Sequence, residues 1–206
     1  MVYIVGIGPG SKEYILPVAQ ETMKCCDLII GFRRAIESIE YINNEKIIAT
    51  SLKETLDLIN KNPDKIISVV ASGDPGFYGI TDYIKNNYNG KLQVIPGLSS
   101  FQYMMAKLNI SWQGAHLGSL HGRDQQFIKI INENAISIWL TDKVNSPKNL
   151  CLQMLKEGID VKVYVGENLS YFDEEIIQGT AYELSNMDFS DLCVMVVINP
   201  NRVDNL

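Results

Sequence analysis

Three short segments combine glycine, proline and small polar residues in a way that suits a ligand lying close to the backbone. They are Gly6-Ile7-Gly8-Pro9-Gly10-Ser11, Ser72-Gly73-Asp74-Pro75-Gly76-Phe77-Tyr78-Gly79 and Pro96-Gly97-Leu98-Ser99-Ser100. Glycine loses more conformational freedom on folding than other residues, so clusters of it point to tight turns or close backbone approach. The first segment invites comparison with the dinucleotide fingerprint G-x-G-x-x-G and fails it: position 11 is serine. The acidic residue expected roughly 20 positions on is replaced by Gly31-Phe32, and Pro9 lacks one of the N–H groups that would cradle phosphate. A nicotinamide-dependent oxidoreductase is therefore disfavoured.

Each segment follows a short apolar run, and the runs alternate with longer amphipathic stretches. Strands are expected at Val2–Gly6, 28–30, 46–49, 66–71, Leu92–Ile95, 116–120, Ile136–Leu140, 161–165 and 192–198. Helices are expected at 17–26, 33–41, 51–60, 80–86, 98–108, 124–132 and Pro147–Lys156, with Ser51 and Glu54 forming a capping box. Runs apolar on both faces, alternating with helices, imply parallel strands covered on both sides. Ligands of such sheets bind at the carboxyl ends of the strands, so the three glycine-bearing turns can converge at one edge. The rhythm pauses at 109–115, dividing the chain into α/β halves at 1–110 and 111–206.

Composition narrows the classes. The 206 residues are 46% hydrophobic and 20% charged, with a formal net charge of -6. That acidic balance argues against a nucleic-acid binder. The apolar run at 192–198 is too short to cross a membrane, and no basic leader precedes Val2, so a cytoplasmic protein is expected. Cys25, Cys26, Cys151 and Cys193 form no C-x-x-C pair and there are two histidines, so no metal site is expected and the cysteines read as reduced.

Taken in order, Gly6-x-Gly8-Pro9-Gly10, Ser72-Gly73-Asp74-Pro75 and Pro96-Gly97-x-Ser99-Ser100 resemble the tetrapyrrole methylase family, and the resemblance spans essentially the whole chain. It implies two small α/β domains, the first with a mainly parallel sheet and the second with a mixed one. It also implies S-adenosylmethionine held in a cleft between the domains, S-adenosylhomocysteine as product, and a homodimer. Ser119-Leu120-His121-Gly122-Arg123, Leu140-Thr141-Asp142 with Asn145-Ser146-Pro147, and Gly166-Glu167-Asn168-Leu169-Ser170-Tyr171 resemble those members that methylate C5 of a corrin precursor, taking cobalt-precorrin-6B to cobalt-precorrin-7. In some members this unit is fused to a C15-methylating decarboxylase. The chain ends at Leu206, so the second activity is expected on a separate enzyme that contacts this one transiently.

The resemblance places Pro9, Gly73, Asp74, Phe77, Tyr78, Ser99 and Ser100 at the cofactor from the first half, and Leu140 and Thr141 at its adenosine from the second. Each has a plainer alternative: Asp74 as a helix cap or Asx-turn, Ser99 and Ser100 as helix caps, Tyr78 as core. The corrinoid carries several carboxylates. Arg123 could clamp one bidentately, with His121 donating a hydrogen bond or moving a proton. Glu167 and Tyr171 are further candidates, with Lys143 and Arg33 behind them. No general base is fixed by the sequence. The alternatives are a relative that methylates another ring position, a protein histidine or RNA, the oxidoreductase above, and a silent binding module.

Overall fold

β-branched residues crowd the short apolar runs and straight-chain residues the amphipathic stretches, and in the computed structural model the former become strands and the latter helices. The structure describes residues 1–120, 126–191 and 193–205. In chain order the elements are β1 (Val2–Gly6), α1 (Pro17–Lys24), β2 (Leu28–Gly31), α2 (Arg33–Glu37), β3 (Glu45–Ile48), α3 (Leu52–Lys61), β4 (Ile67–Ala71), α4 (Thr81–Asn87), β5 (Leu92–Ile95) and α5 (Ser100–Leu108). They continue with β6 (His116–Ser119), α6 (Phe127–Glu133), β7 (Ile136–Leu140), α7 (Pro147–Lys156), β8 (Lys162–Glu167), β9 (Glu175–Thr180), α8 (Ala181–Leu184) and β10 (Cys193–Ile198). Two compact units result, Met1–Ser100 and Phe101–Leu206.

The first unit is a five-stranded sheet in the order β3-β2-β4-β1-β5, parallel throughout. Alternate residues feed opposite faces: Val5, Ile29 and Val70 pack with Ala19, Met23 and Ile39 on one side, while Ile4, Ile30 and Val69 pack with Ile59 and Ile84 on the other. Each buried Val, Ile or Met among them contributes about 1.5–3 kcal/mol. Helix α3 starts where Ser51 accepts the Glu54 N–H at 3.1 Å. Glu54 reaches past the cap to the Thr50 N–H at 2.7 Å, so the expected box is half formed.

The second unit is a mixed five-stranded sheet, β6-β7-β10-β8-β9. β6 and β7 are parallel, and β10 lies antiparallel between β7 and β8. Its core centres on Trp139, fully buried, whose indole N–H donates to Ser137 Oγ at 2.9 Å and whose ring meets Phe127 at 5.1 Å and His116 at 5.2 Å. β9 and α8 lie in a stretch without an expected element. A full capping box joins them, Thr180 accepting from the Glu183 N–H and Glu183 from the Thr180 N–H. Helix α2 ends at Glu37, well before the expected 41.

Candidate functional site

In the first unit the three glycine-bearing turns leave the sheet side by side. β4, β1 and β5 are neighbours, with Gly6 opposite Ala71 and Val5 opposite Ile95. Beyond the strand ends the first two turns bond to each other: the Gly8 N–H donates to the Gly73 carbonyl at 3.2 Å and the Gly73 N–H to the Gly8 carbonyl at 2.7 Å. Both glycines take φ of 69°, a left-handed conformation that disfavours a side chain. The bridge occupies the Gly8 N–H, one of the backbone donors of the fingerprint-like turn, which adds to the case against nicotinamide binding.

The third turn closes on the first two, backbone against backbone. A Cβ at Gly97 would lie 2.2 Å from the Gly73 oxygen, and one at Gly6 would lie 2.6 Å from the Gly97 nitrogen. Asp74 fastens the assembly: Oδ1 accepts from the Gly76 N–H at 2.8 Å and Oδ2 from the Gly97 N–H at 3.1 Å. The first contact is the Asx-turn foreseen as the plainer alternative; the second links two turns 23 positions apart. A carboxylate has about four acceptor sites, so Asp74 keeps capacity for a ligand's donor.

Pro9 and Ser99 are buried against this edge, and Ser100 opens α5. A Cβ at Gly73 would meet nothing nearer than Ser99 Cα at 3.8 Å, so Gly73 faces Ser99 and Ser100 at ordinary contact distance. Pro9, Gly73, Asp74, Ser99 and Ser100 are thus brought together. Phe77 and Tyr78 belong to the same turn, edge to face at 4.9 Å, with Tyr78 37% exposed and at φ of 52°. That is a rare conformation for a bulky residue. Tyr78 is not core.

In the second unit a corresponding edge carries the ends of β6, β7 and β8 and the start of β10, with Leu140 opposite Val194 and Glu167 opposite Cys193. Thr141 is buried; its hydroxyl donates to the Cys193 carbonyl at 3.1 Å and accepts the Cys193 N–H at 3.2 Å. The Leu120 N–H donates to the Leu140 carbonyl at 2.8 Å, and the Asn145 amide to the Leu120 carbonyl at 3.0 Å, tying the β6 and β7 ends together. Glu167 accepts the Ser190 N–H through Oε1, and the Tyr171 N–H closes on the Asn168 carbonyl at 2.9 Å. Leu140, Thr141, Glu167 and Tyr171 therefore share one edge. His121 and Arg123 lie outside the described residues. Lys143 is exposed, and Arg33 is a solvent-facing partner of Glu37 at 4.0 Å.

Features absent from the sequence reading also emerge. A cavity of about 670 Å³ in the second unit is lined by Gln102, Ala106, Ile110, Trp112, Gln113 and Leu117, among others, so the segment expected to be a mere linker forms a wall. The 43%-exposed Trp112 was its one sequence signal. Tyr103, Lys107 and Glu174 form a cluster, with Lys107 Nζ 3.0 Å from Glu174 Oε1. Burial, with help from the Glu174 charge, pushes the Tyr103 phenol up to about 12. Burial also pushes the Glu174 carboxyl up, but hydrogen bonds from Tyr103, the Ser170 N–H and Lys107 outweigh it and hold it below the usual carboxylate range. His116 has a buried Nε2 with no partner among the described residues, and burial holds its pKa below the ordinary imidazole value. Burial pushes the Cys151 thiol up to about 12 and the Cys193 thiol up to about 11. Among the described residues no group of three or more His, Cys, Asp or Glu is placed to hold a metal ion, and no helix is long and apolar enough to cross a membrane.

Residues 1–185 match the family model of tetrapyrrole (corrin/porphyrin) methylases. The probable cobalt-precorrin-7 C(5)-methyltransferase of Methanocaldococcus jannaschii is 35% identical over 204 residues, 95% of this chain and 97% of that protein. Among solved structures, the precorrin-6Y methylase of Archaeoglobus fulgidus superposes with a TM-score of 0.76 at 20% identity, covering 97% of both chains. The uroporphyrin-III C-methyltransferase of Thermus thermophilus, solved with S-adenosylhomocysteine, superposes with a TM-score of 0.80 at 16% identity over 98% of this chain and 99% of that one.

Proposed function

Because the chain belongs to the tetrapyrrole methylase family, we propose that it transfers a methyl group from S-adenosylmethionine to C5 of a cobalt-corrin precursor in cobalamin biosynthesis. The observation that carries this reading is the knot of three turns at the β4-β1-β5 edge, packed backbone against backbone, with Asp74 at its centre. The C5 position rests on the 35%-identical relative, whose name puts cobalt-precorrin-7 in the reaction.

The residues present fit the cofactor. A zwitterionic amino-acid moiety with a ribose and a neutral base needs backbone donors and acceptors, small hydroxyls and a carboxylate, rather than the cationic clamp a phosphate needs. Pro9, Gly73, Asp74, Ser99 and Ser100 supply such a set from the first unit, with Phe77 and Tyr78 on the same turn; Leu140 and Thr141 supply the adenosine side. When bound, S-adenosylmethionine brings a methyl already activated on a sulfonium. The protein's own task is then to orient the two reactants and keep water out, and orientation accounts for much of such catalysis. His121, Arg123, Glu167 and Tyr171 are assigned to the corrinoid, Arg123 pairing with a carboxylate and His121 available to take a proton. We assign the protein to the cytoplasm, as a homodimer in transient contact with a separate C15-methylating decarboxylase.

Calorimetric titration separates methyl from hydride chemistry. S-adenosylhomocysteine should bind with one site per chain and NADH should give no heat; saturable NADH binding without S-adenosylhomocysteine binding would overturn the proposal.

A further inference from the structure

The turn between β8 and β9 places two non-glycine residues in the left-handed region, which asparagine tolerates and serine disfavours. Asn168 and Ser170, neither of them glycine, adopt φ of 44° and 72°. Such backbone persists only where its surroundings over-determine it. Part of the support is internal: the Asn168 amide donates to Asp173 Oδ2 at 2.9 Å, and the Glu174 N–H donates to the Tyr171 carbonyl at 3.1 Å.

The rest comes from α5. Glu174 Oε2 accepts the N–H of left-handed Ser170 at 2.6 Å, while Oε1 pairs with Lys107 at 3.0 Å. Tyr103, one helical turn before Lys107, hydrogen-bonds the same carboxylate. Only 17% of the Glu174 side chain is exposed, while Lys107, 45% exposed, reaches it from the solvent side. At the root of the turn, a Cβ on Gly166 would lie 2.7 Å from Met104 Sδ, so α5 packs directly on the end of β8. α5 thus holds the turn at its β8 end and, through Glu174, at its β9 end.

The last residue of β8 leads to the candidate site. Glu167 holds the Ser190 N–H, the Cys193 thiol donates to the Ser190 carbonyl at 3.2 Å, and Cys193 exchanges backbone bonds with the Thr141 hydroxyl. We propose that Glu174 is a positioning residue: anchored on α5, it keeps the β8–β9 turn, and through it the Glu167–Ser190–Cys193–Thr141 edge, in one ligand-ready conformation. The ligand side of this role rests on the reading that Thr141 meets the adenosine of the cofactor. Surface fixed in advance spares the ligand the ordering of seven turn residues, 168–174, on binding.

The test uses the full-length chain with Glu174→Ala, Glu174→Gln and Lys107→Met. Hydrogen–deuterium exchange of the peptide covering 167–175 reports the anchor, and calorimetry with S-adenosylhomocysteine reports the ligand. Glu174→Ala should speed exchange at least tenfold and raise Kd about tenfold, equivalent to about 1.4 kcal/mol, with unchanged stoichiometry. Glu174→Gln keeps an acceptor for the Ser170 N–H and should recover part of both effects; Lys107→Met should fall between. A loss of fold alone would lower the stoichiometry and leave Kd unchanged. If Glu174→Ala does not fold, Glu174→Gln and Lys107→Met carry the test. Exchange unchanged in the folded variants overturns the anchor, and faster exchange with unchanged Kd overturns the positioning role. Wild-type protein that binds no S-adenosylhomocysteine sinks the functional reading and the ligand side together, and the exchange result still decides the anchor.

Discussion

Replacing Gly97 by alanine tests whether the three turns are locked backbone to backbone. The new Cβ would sit 2.2 Å from the Gly73 oxygen and 2.8 Å from the Gly6 carbonyl carbon. Reaching even a tight contact requires the turns to part by about 1 Å. That movement pulls on the Gly97 N–H bond to Asp74 and on the Gly8–Gly73 bridge. Overpacking of this kind costs about 1–3 kcal/mol, and each weakened hydrogen bond adds about 1 kcal/mol, so a loss of about 3 kcal/mol is expected. Gly73→Ala is the matched control. Its Cβ has room, 3.8 Å from Ser99 Cα, and the expected penalty of about 1–2 kcal/mol comes from φ of 69° alone. That methyl, however, projects onto the face assigned to the cofactor. Urea unfolding followed by circular dichroism, with calorimetry against S-adenosylhomocysteine, gives both axes. Gly97→Ala should lose more stability, whereas Gly73→Ala should lose more affinity than its stability change explains. Gly97→Ala within about 0.5 kcal/mol of wild type, with unaltered binding, would refute the packing argument.

Asp74→Ala leaves the Gly97 N–H without its acceptor and should cost about 1–3 kcal/mol in urea unfolding and weaken S-adenosylhomocysteine binding as well; a variant with wild-type stability contradicts the clamp. Thr141→Val removes both hydroxyl bonds to Cys193, leaving the backbone one, and should lower stability by about 1–3 kcal/mol, and a neutral result would show the Cys193 N–H satisfied elsewhere. His116 is held below the ordinary imidazole range by burial, so the unfolded chain takes up its proton first as pH falls. Stability should therefore drop as pH decreases through the unfolded value of about 6.5 toward the lower folded one, and be unaffected above it. His116→Phe should flatten that part of the unfolding free energy measured between pH 7.5 and 5; an unchanged slope would assign the dependence to other groups.

The parallel half was readable because its strands are apolar on both faces, and the turns carry their own signatures. What joins those turns was not readable. The Asx-turn of Asp74 follows from Asp-Pro-Gly, but its second bond reaches Gly97 through the adjacency of β4, β1 and β5, which no local pattern encodes. β9 escaped notice because Glu175-Ile176-Ile177-Gln178-Gly179-Thr180 is a polar edge strand containing a glycine. Thr180 and Glu183 had the spacing of a capping box and could have marked α8. Lys107 and Glu174 meet only because α5 crosses the end of β8, so charge spacing along the chain says nothing of their pairing. The placement of β10 between β7 and β8 is likewise a consequence of topology.

The most direct test of the central claim is methyl transfer itself. Purified protein is incubated with S-adenosylmethionine carrying a 13C methyl and, in parallel reactions, with cobalt-precorrin-6B, the acceptor the sequence resemblance implies, and with cobalt-precorrin-7, the corrinoid in the name of the 35%-identical relative. Mass spectrometry counts added methyls and lost carbon dioxide, and NMR locates the label. One labelled methyl at C5 of either acceptor, with no carbon dioxide released, is the result the account predicts. Label at another ring carbon, or cofactor binding with no change in either corrinoid, would contradict it.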